Sequence, residues 1–129
     1  MGVLNEVFLA DDDASAAALV EDGPSEGDVP SVPAVGVSDL ASLEEVLTGD
    51  EAEGLPLVAE LGEDGPWVWG IPPELTAALR SAKPDEALAE EWIEASGWPD
   101  ESPGRIAAII EDLAGLARDG RPLYLWSSL

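Results

Sequence analysis

Residues 102–129 read SPGRIAAIIEDLAGLARDGRPLYLWSSL, and this stretch predicts a capped amphipathic helix, a tight stop and a buried strand. Ser102 is placed to N-cap the helix through its side-chain oxygen, and Pro103 suits a first helical position that needs no N–H. Ile106, Ile109, Ile110, Leu113, Leu116 and Ala117 recur at steps of three and four, so they share one face. Arg118 complements the negative end of the helix, Gly120 can take a left-handed stop, and Pro122 blocks continuation. Leu123-Tyr124-Leu125-Trp126 follows without a polar residue, as an inner strand does.

Working back from this unit, the punctuation repeats. Lys83-Pro84-Asp85 opens a helix whose seam is read as Ala87, Leu88, Glu91, Trp92 and Ala95, with Gly97 as its stop. Pro72-Pro73 opens another that turns Leu75, Ala78 and Leu79 inward. Residues 57–61 and 67–71 are strand-like, and the five residues between them include two glycines, which predicts an antiparallel hairpin. Trp67, Trp69 and Ile71 alternate onto one face of it. Leu40, Leu43, Val46 and Leu47 form a helix face, with Ser42 and Glu45 spaced as a capping box and Gly49 as a stop. Val35-Gly36-Val37 is read as a brief strand closing a Pro/Gly-rich surface loop at about 23–36. The chain opens with a strand to Ala10, and Asp11-Asp12-Asp13 supplies cap oxygens to a short helix over about 14–21.

The predicted order is β-α-(β)-α-β-β-α-α-α-β. We read it as one α/β domain over residues 1–129, with α+β as the alternative arrangement. A mixed sheet containing a hairpin is expected, packed by about five helices and completed by the C-terminal strand.

Composition removes much chemistry. The 129 residues are 46% apolar, as a globular chain requires, and contain neither cysteine nor histidine. Thiolate nucleophiles, thiolate metal sites and the usual neutral-pH general base are therefore absent. No phosphate-binding glycine loop with its lysine is present, and no cofactor is called for. No apolar run reaches the roughly 20 residues of a membrane span, and the N-terminus lacks the basic region of a signal peptide, so a cytoplasmic protein is expected.

The net charge is −23, and it is uneven: residues 1–79 hold eighteen acids and no cation, whereas residues 80–129 hold ten acids and five bases. Such a field repels nucleic acid and anionic membranes and attracts cationic partners. The reading adopted is a non-catalytic acidic binding protein for a basic protein partner, of an immunity, inhibitor or mimic type. Direct nucleic-acid and membrane binding are not expected. A second reading is a housekeeping protein whose acidity belongs to a salt-adapted proteome; Lys83 is its only lysine.

A third reading makes Asp11, Asp12 and Asp13 the site of a small-molecule-binding protein or magnesium-dependent enzyme. A strand running into clustered acids resembles the opening of a receiver domain, and Lys83-Pro84 resembles that fold's lysine–proline step. No central strand ends in a phosphoacceptor aspartate, however, and capping gives the same acids a structural use. Carboxylate pairs such as Glu44/Glu45 and Glu90/Glu91 say little among twenty-eight acids. Tryptophan is enriched in interface anchors, and five are present. We assign partner contact to Trp69 and to Trp98, the latter with Asp100 and Glu101 in the acidic stretch that follows it.

Several of these stretches together resemble a family of small uncharacterised bacterial proteins: the Met1-Gly2-Val3-Leu4 opening with Phe8, residues 43–49, Trp67-Val68-Trp69 leading to Pro73-Glu74-Leu75, and the passage from Leu113 to Trp126. More distantly the arrangement is similar to the YfbM-like family, in which a final helix feeds a C-terminal strand. The resemblance implies an α/β fold and brings no catalytic residues. The immunity analogy comes from relatives of that broad type.

Overall fold

A computed structural model describes residues 4–21, 23–24, 29–33, 36–51, 54–63, 65–98 and 101–128. The chain runs β1 (Leu4–Leu9), α1 (Asp13–Ala17), β2 (Ser31–Pro33), α2 (Val37–Thr48), β3 (Leu57–Glu60), β4 (Trp67–Gly70), α3 (Pro73–Ser81), α4 (Glu86–Ser96), α5 (Pro103–Ala117) and β5 (Leu123–Ser128). This is the expected order of elements, an α/β chain whose last helix feeds the central strand.

The five strands form one sheet in the order β2-β1-β5-β4-β3. Every pairing is antiparallel, so the expected mixed sheet is corrected. The reason is where the helical run returns the chain. Ile71, just past β4, donates its N–H to the carbonyl of Leu123 at 3.0 Å. The chain therefore re-enters the sheet at the end where β4 left it, and β5 must run back antiparallel.

Strand alternation sorts the core into two layers. Val7, Leu9, Leu123 and Leu125 face α2, α3, α4 and α5, where they meet Leu40, Leu43, Leu75, Leu79, Trp92, Ile106, Ile110 and Leu113. Phe8, Val68, Tyr124 and Trp126 face the other way, under Ala16 of α1 with Leu19, Val20 and Val29. The central strand is thus buried on both faces from Leu123 to Ser127, which explains why its apolar run has no alternation. Burying each large side chain here contributes about 1.5–3 kcal/mol.

The inward face of α5 consists of Ile106, Ile110, Leu113, Ala114 and Ala117, while Ile109 and Leu116 are half-buried at its edge. Ser102 occupies the N-cap position but its side chain makes no capping hydrogen bond. Its carbonyl accepts from Ile106 N at 3.1 Å instead. At the other end the helix is capped from outside: Arg80 of α3 donates its Nε–H to the carbonyl of Ala117 at 2.7 Å. That cation, rather than the exposed Arg118, satisfies a terminal carbonyl.

Three local expectations are also corrected. The second strand is Ser31–Pro33, not Val35–Val37: Gly36 caps α2, Val37 begins it, and Val35 lies outside the described residues. Ser42 and Glu45 are no capping box, because α2 starts at Val37 and Ser42 donates back to the carbonyl of Ser38 at 3.1 Å. The seam of α4 is rotated: Ala89 and Trp92 are buried with Leu88 and Ile93 beside them, whereas Ala87, Glu91 and Ala95 are exposed. Choosing Ala89, Trp92, Ile93 and Ser96 keeps the same helical spacing and places no carboxylate in the core.

Candidate functional site

Two adjoining cavities open on the helix-covered side of the sheet, at the end where β1 begins and β5 finishes. The larger, 420 Å³, is lined by Trp67 and Trp69 of β4, Val37 and Asp39 of α2, Asn5 and Ser127. The smaller, 260 Å³, is lined by Trp98, Glu101, Arg105 and Ile106 on the α5 side. Asn5, Gly36 and Asp39 line both, so Asp39 stands where the two halves of one groove meet.

Local chemistry puts that carboxylate there. Gly36 is the N-cap of α2 with an extended backbone, which makes Asp39 the third helical residue. From this position a carboxylate reaches back to the N-cap N–H, and the helix N-terminus favours its negative charge. Partial burial nevertheless dominates and raises the Asp39 pKa, opposed by the hydrogen bond from Gly36 N and the nearby Ser96 hydroxyl. Ser96 Oγ is itself buried without a hydrogen bond of good geometry, so its contribution is proximity only. The main chain of Asp39 is held as well: Trp92, fully buried, donates its indole N–H to the Asp39 carbonyl at 2.8 Å.

Trp92 also supports the second half of the groove. Its ring lies 5.3 Å from that of Trp98, tilted by 60°, a T-like contact that fixes the half-buried Trp98 at the end of α4. Glu101 and Arg105 form an ion pair one helical turn apart. Across the groove floor, Ser127 donates its hydroxyl to Asn5 Oδ1 at 2.7 Å. The Trp69 indole N–H is buried without a partner among the described residues, leaving a donor unsatisfied.

The structure therefore brings Trp69, Trp98 and Glu101 to one groove, and Asp100 lies outside the described residues. Sequence reasoning missed Asp39, Asn5, Trp67 and Arg105 as members of this group. The available signal was Gly36 followed three residues later by an acid, read there as part of a strand.

Asp11, Asp12 and Asp13 are elsewhere, beneath the other face of the sheet. Asp12 caps α1 by accepting from Ser15 N at 2.8 Å, which lowers its pKa. Asp13 accepts the Tyr124 hydroxyl at 2.8 Å. Burial, and then this bond, raise the tyrosine pKa. Among the described residues no group of three or more Asp, Glu, His or Cys side chains is arranged to hold a metal ion. Asp12 and Asp13 thus have structural work in the geometry observed.

A third cavity, 540 Å³, lies between the end of α2 and the start of β3 and is rimmed by Glu44, Asp50, Glu51 and Glu74. No helix among the described residues is long and apolar enough to cross a membrane. Comparison of the chain with protein-family models, with curated proteins and with solved structures finds no match.

Proposed function

We propose that this chain is a non-catalytic cytoplasmic binding protein for a basic protein partner, and that the groove at Asp39 receives a cationic side chain of that partner. The observation that carries the reading is Asp39 itself. Its carboxylate is partly desolvated, it stands at the junction of a groove walled by Trp67, Trp69 and Trp98, and the one cation that lines the groove among the described residues, Arg105, is already paired with Glu101. An incoming ammonium or guanidinium group would relieve the desolvated carboxylate, and aromatic faces attract such cations. The wider field has the same sign: the net charge is −23, and no cation precedes Arg80. It favours a basic protein over phosphate-bearing nucleic acid or an anionic membrane. The resemblance to YfbM-like proteins belongs to this proposal, through the helix-to-strand ending it rests on.

The test is recovery of partners from native lysate at low and raised salt, using the wild-type protein and the Asp39→Asn variant. A basic protein retained at low salt, released at high salt and lost from Asp39→Asn supports the reading. Recovery of no salt-sensitive partner, or of one indifferent to Asp39, overturns it.

A further inference from the structure

We infer that the outer edge of β3 accepts an extended, lysine- or arginine-rich segment of the basic partner as a sixth strand. The inference rests on the function proposed above and adds a second contact surface to it. The sheet ends at β2 on one side and at β3 on the other, and the two edges are built differently. β2 is three residues long, preceded by Pro30 and ended by Pro33, and proline nitrogens donate nothing to an added strand. β3 also follows a proline, Pro56, and has a register irregularity between Leu57 and Ala59, but it contains no proline itself, pairs among the described residues with β4 alone, and is bracketed by Leu57 and Leu61. These are the two large apolar side chains that lie exposed among the described residues, at 46% and 55%.

Charge fixes the occupant. Glu60 and Glu63 stand exposed along β3 and its turn. At the start of the strand, beside Leu55 and Pro56, opens the cavity rimmed by Glu44, Asp50, Glu51 and Glu74. A second copy of this chain would bring the same carboxylates edge to edge, which like-charge repulsion opposes. An extended basic segment satisfies both features. Leu57 and Glu60 pair with Trp69 and Trp67 on the helix-covered side, and the register irregularity between Leu57 and Ala59 turns Leu61 to the other side. The segment's backbone continues the ladder, its aliphatic side chains on one face cover Leu61, and on the opposite face basic side chains lay their stems along Leu57 and bring their cations to the acidic rim.

The test uses the whole protein and the synthetic heptapeptide Lys-Val-Lys-Val-Lys-Val-Lys. Controls are its glutamate counterpart and two versions N-methylated on alternate sets of nitrogens, which keep the charge. Strand addition predicts that the lysine peptide binds, slows amide exchange across residues 57–61 and leaves 31–33 unchanged. The glutamate peptide does not bind. Methylation of one alternate set, the one facing β3, weakens binding by about tenfold or more, while the other set matters little. The double variant Leu57→Ser with Leu61→Ser, changed only at exposed positions, lowers affinity by roughly fivefold. Equal affinity for both methylated peptides, or protection confined to the Asp39 groove, overturns strand addition and leaves the proposed function standing. Absence of peptide binding also overturns it, and joined to failure of Asp39-dependent recovery from lysate it removes both readings.

Discussion

Trp92 donates its indole N–H to the main-chain carbonyl of Asp39 at 2.8 Å, so the buried centre of α4 is pinned to the first turn of α2. One bond thereby links core packing to the placement of the groove carboxylate. Trp92→Phe removes that donor and part of a ring with no solvent exposure. It is expected to cost about 2 kcal/mol, measured as a lower urea midpoint with unchanged slope. A loss below about 0.5 kcal/mol would mean that the bond does not hold the two helices together.

Asp39 gives a pH dependence of definite sign. Burial raises its folded-state pKa above the ordinary 3.8. Between those two values the folded chain keeps a proton that the unfolded chain has released, so this group's contribution to stability falls as pH rises through the window. Asp39→Asn, which keeps an acceptor for Gly36 N–H, is therefore expected to unfold at a higher temperature than wild type at pH 7. The gap should close as the pH falls below about 3.8, where both side chains are neutral. A gap that is constant from pH 3 to pH 7, or of opposite sign, would contradict the desolvation account.

Gly23 lies over the Trp126 ring with φ +83°, and a Cβ added there would stand 3.1 Å from the indole. Gly49 has a similar φ of +78° with nothing within 4 Å. Gly49→Ala then reports the backbone cost alone, about 1 kcal/mol, while Gly23→Ala adds crowding and should cost about 1–3 kcal/mol more. Parallel thermal melts of the two variants decide it, and equal losses would show that the Trp126 contact yields freely.

Ile110 is fully buried between α5 and the sheet, whereas Ala108, on the same helix, is exposed. Ile110→Asp should abolish the cooperative unfolding transition, because an unpaired charge cannot be buried there. Ala108→Asp adds the same charge at the surface and should leave the fold intact. A folded Ile110→Asp protein would refute the assignment of this face to the core.

Apart from β2, the described elements and their order are legible in the chain because their signals are local. Gly49, Gly97 and Gly120 take the left-handed conformation, Pro73 and Pro103 open helices, and the 57–70 hairpin closes on itself. What could not be read depends on partners distant in sequence. Strand β2 has three residues and exists because β1 offers its edge, while a local reading favoured the valines at 35 and 37. Two helical stripes one step apart are compatible with the period of α4, and only packing against α2 and α5 selects one. The groove joins residues from position 5 to position 127. Trp69 and Trp98 were identifiable by type, but Asp39 acquires its meaning only when α2 is docked.

Among the described residues the two sides of the sheet are covered unequally, by four helices on one and by the five-residue α1 with Leu19, Val20 and Val29 on the other. The thin cover is fastened to the central strand by two side-chain bonds, Tyr124 to Asp13 and Trp126 to the carbonyl of Val20 at 2.9 Å. Such a layer is expected to open as a separate unit. Exchange of amides in residues 13–21 should proceed at denaturant concentrations that leave α5 and β5 protected. If this layer opens first, the first step of unfolding is expected to bare Trp126 while the groove at Asp39 stays assembled.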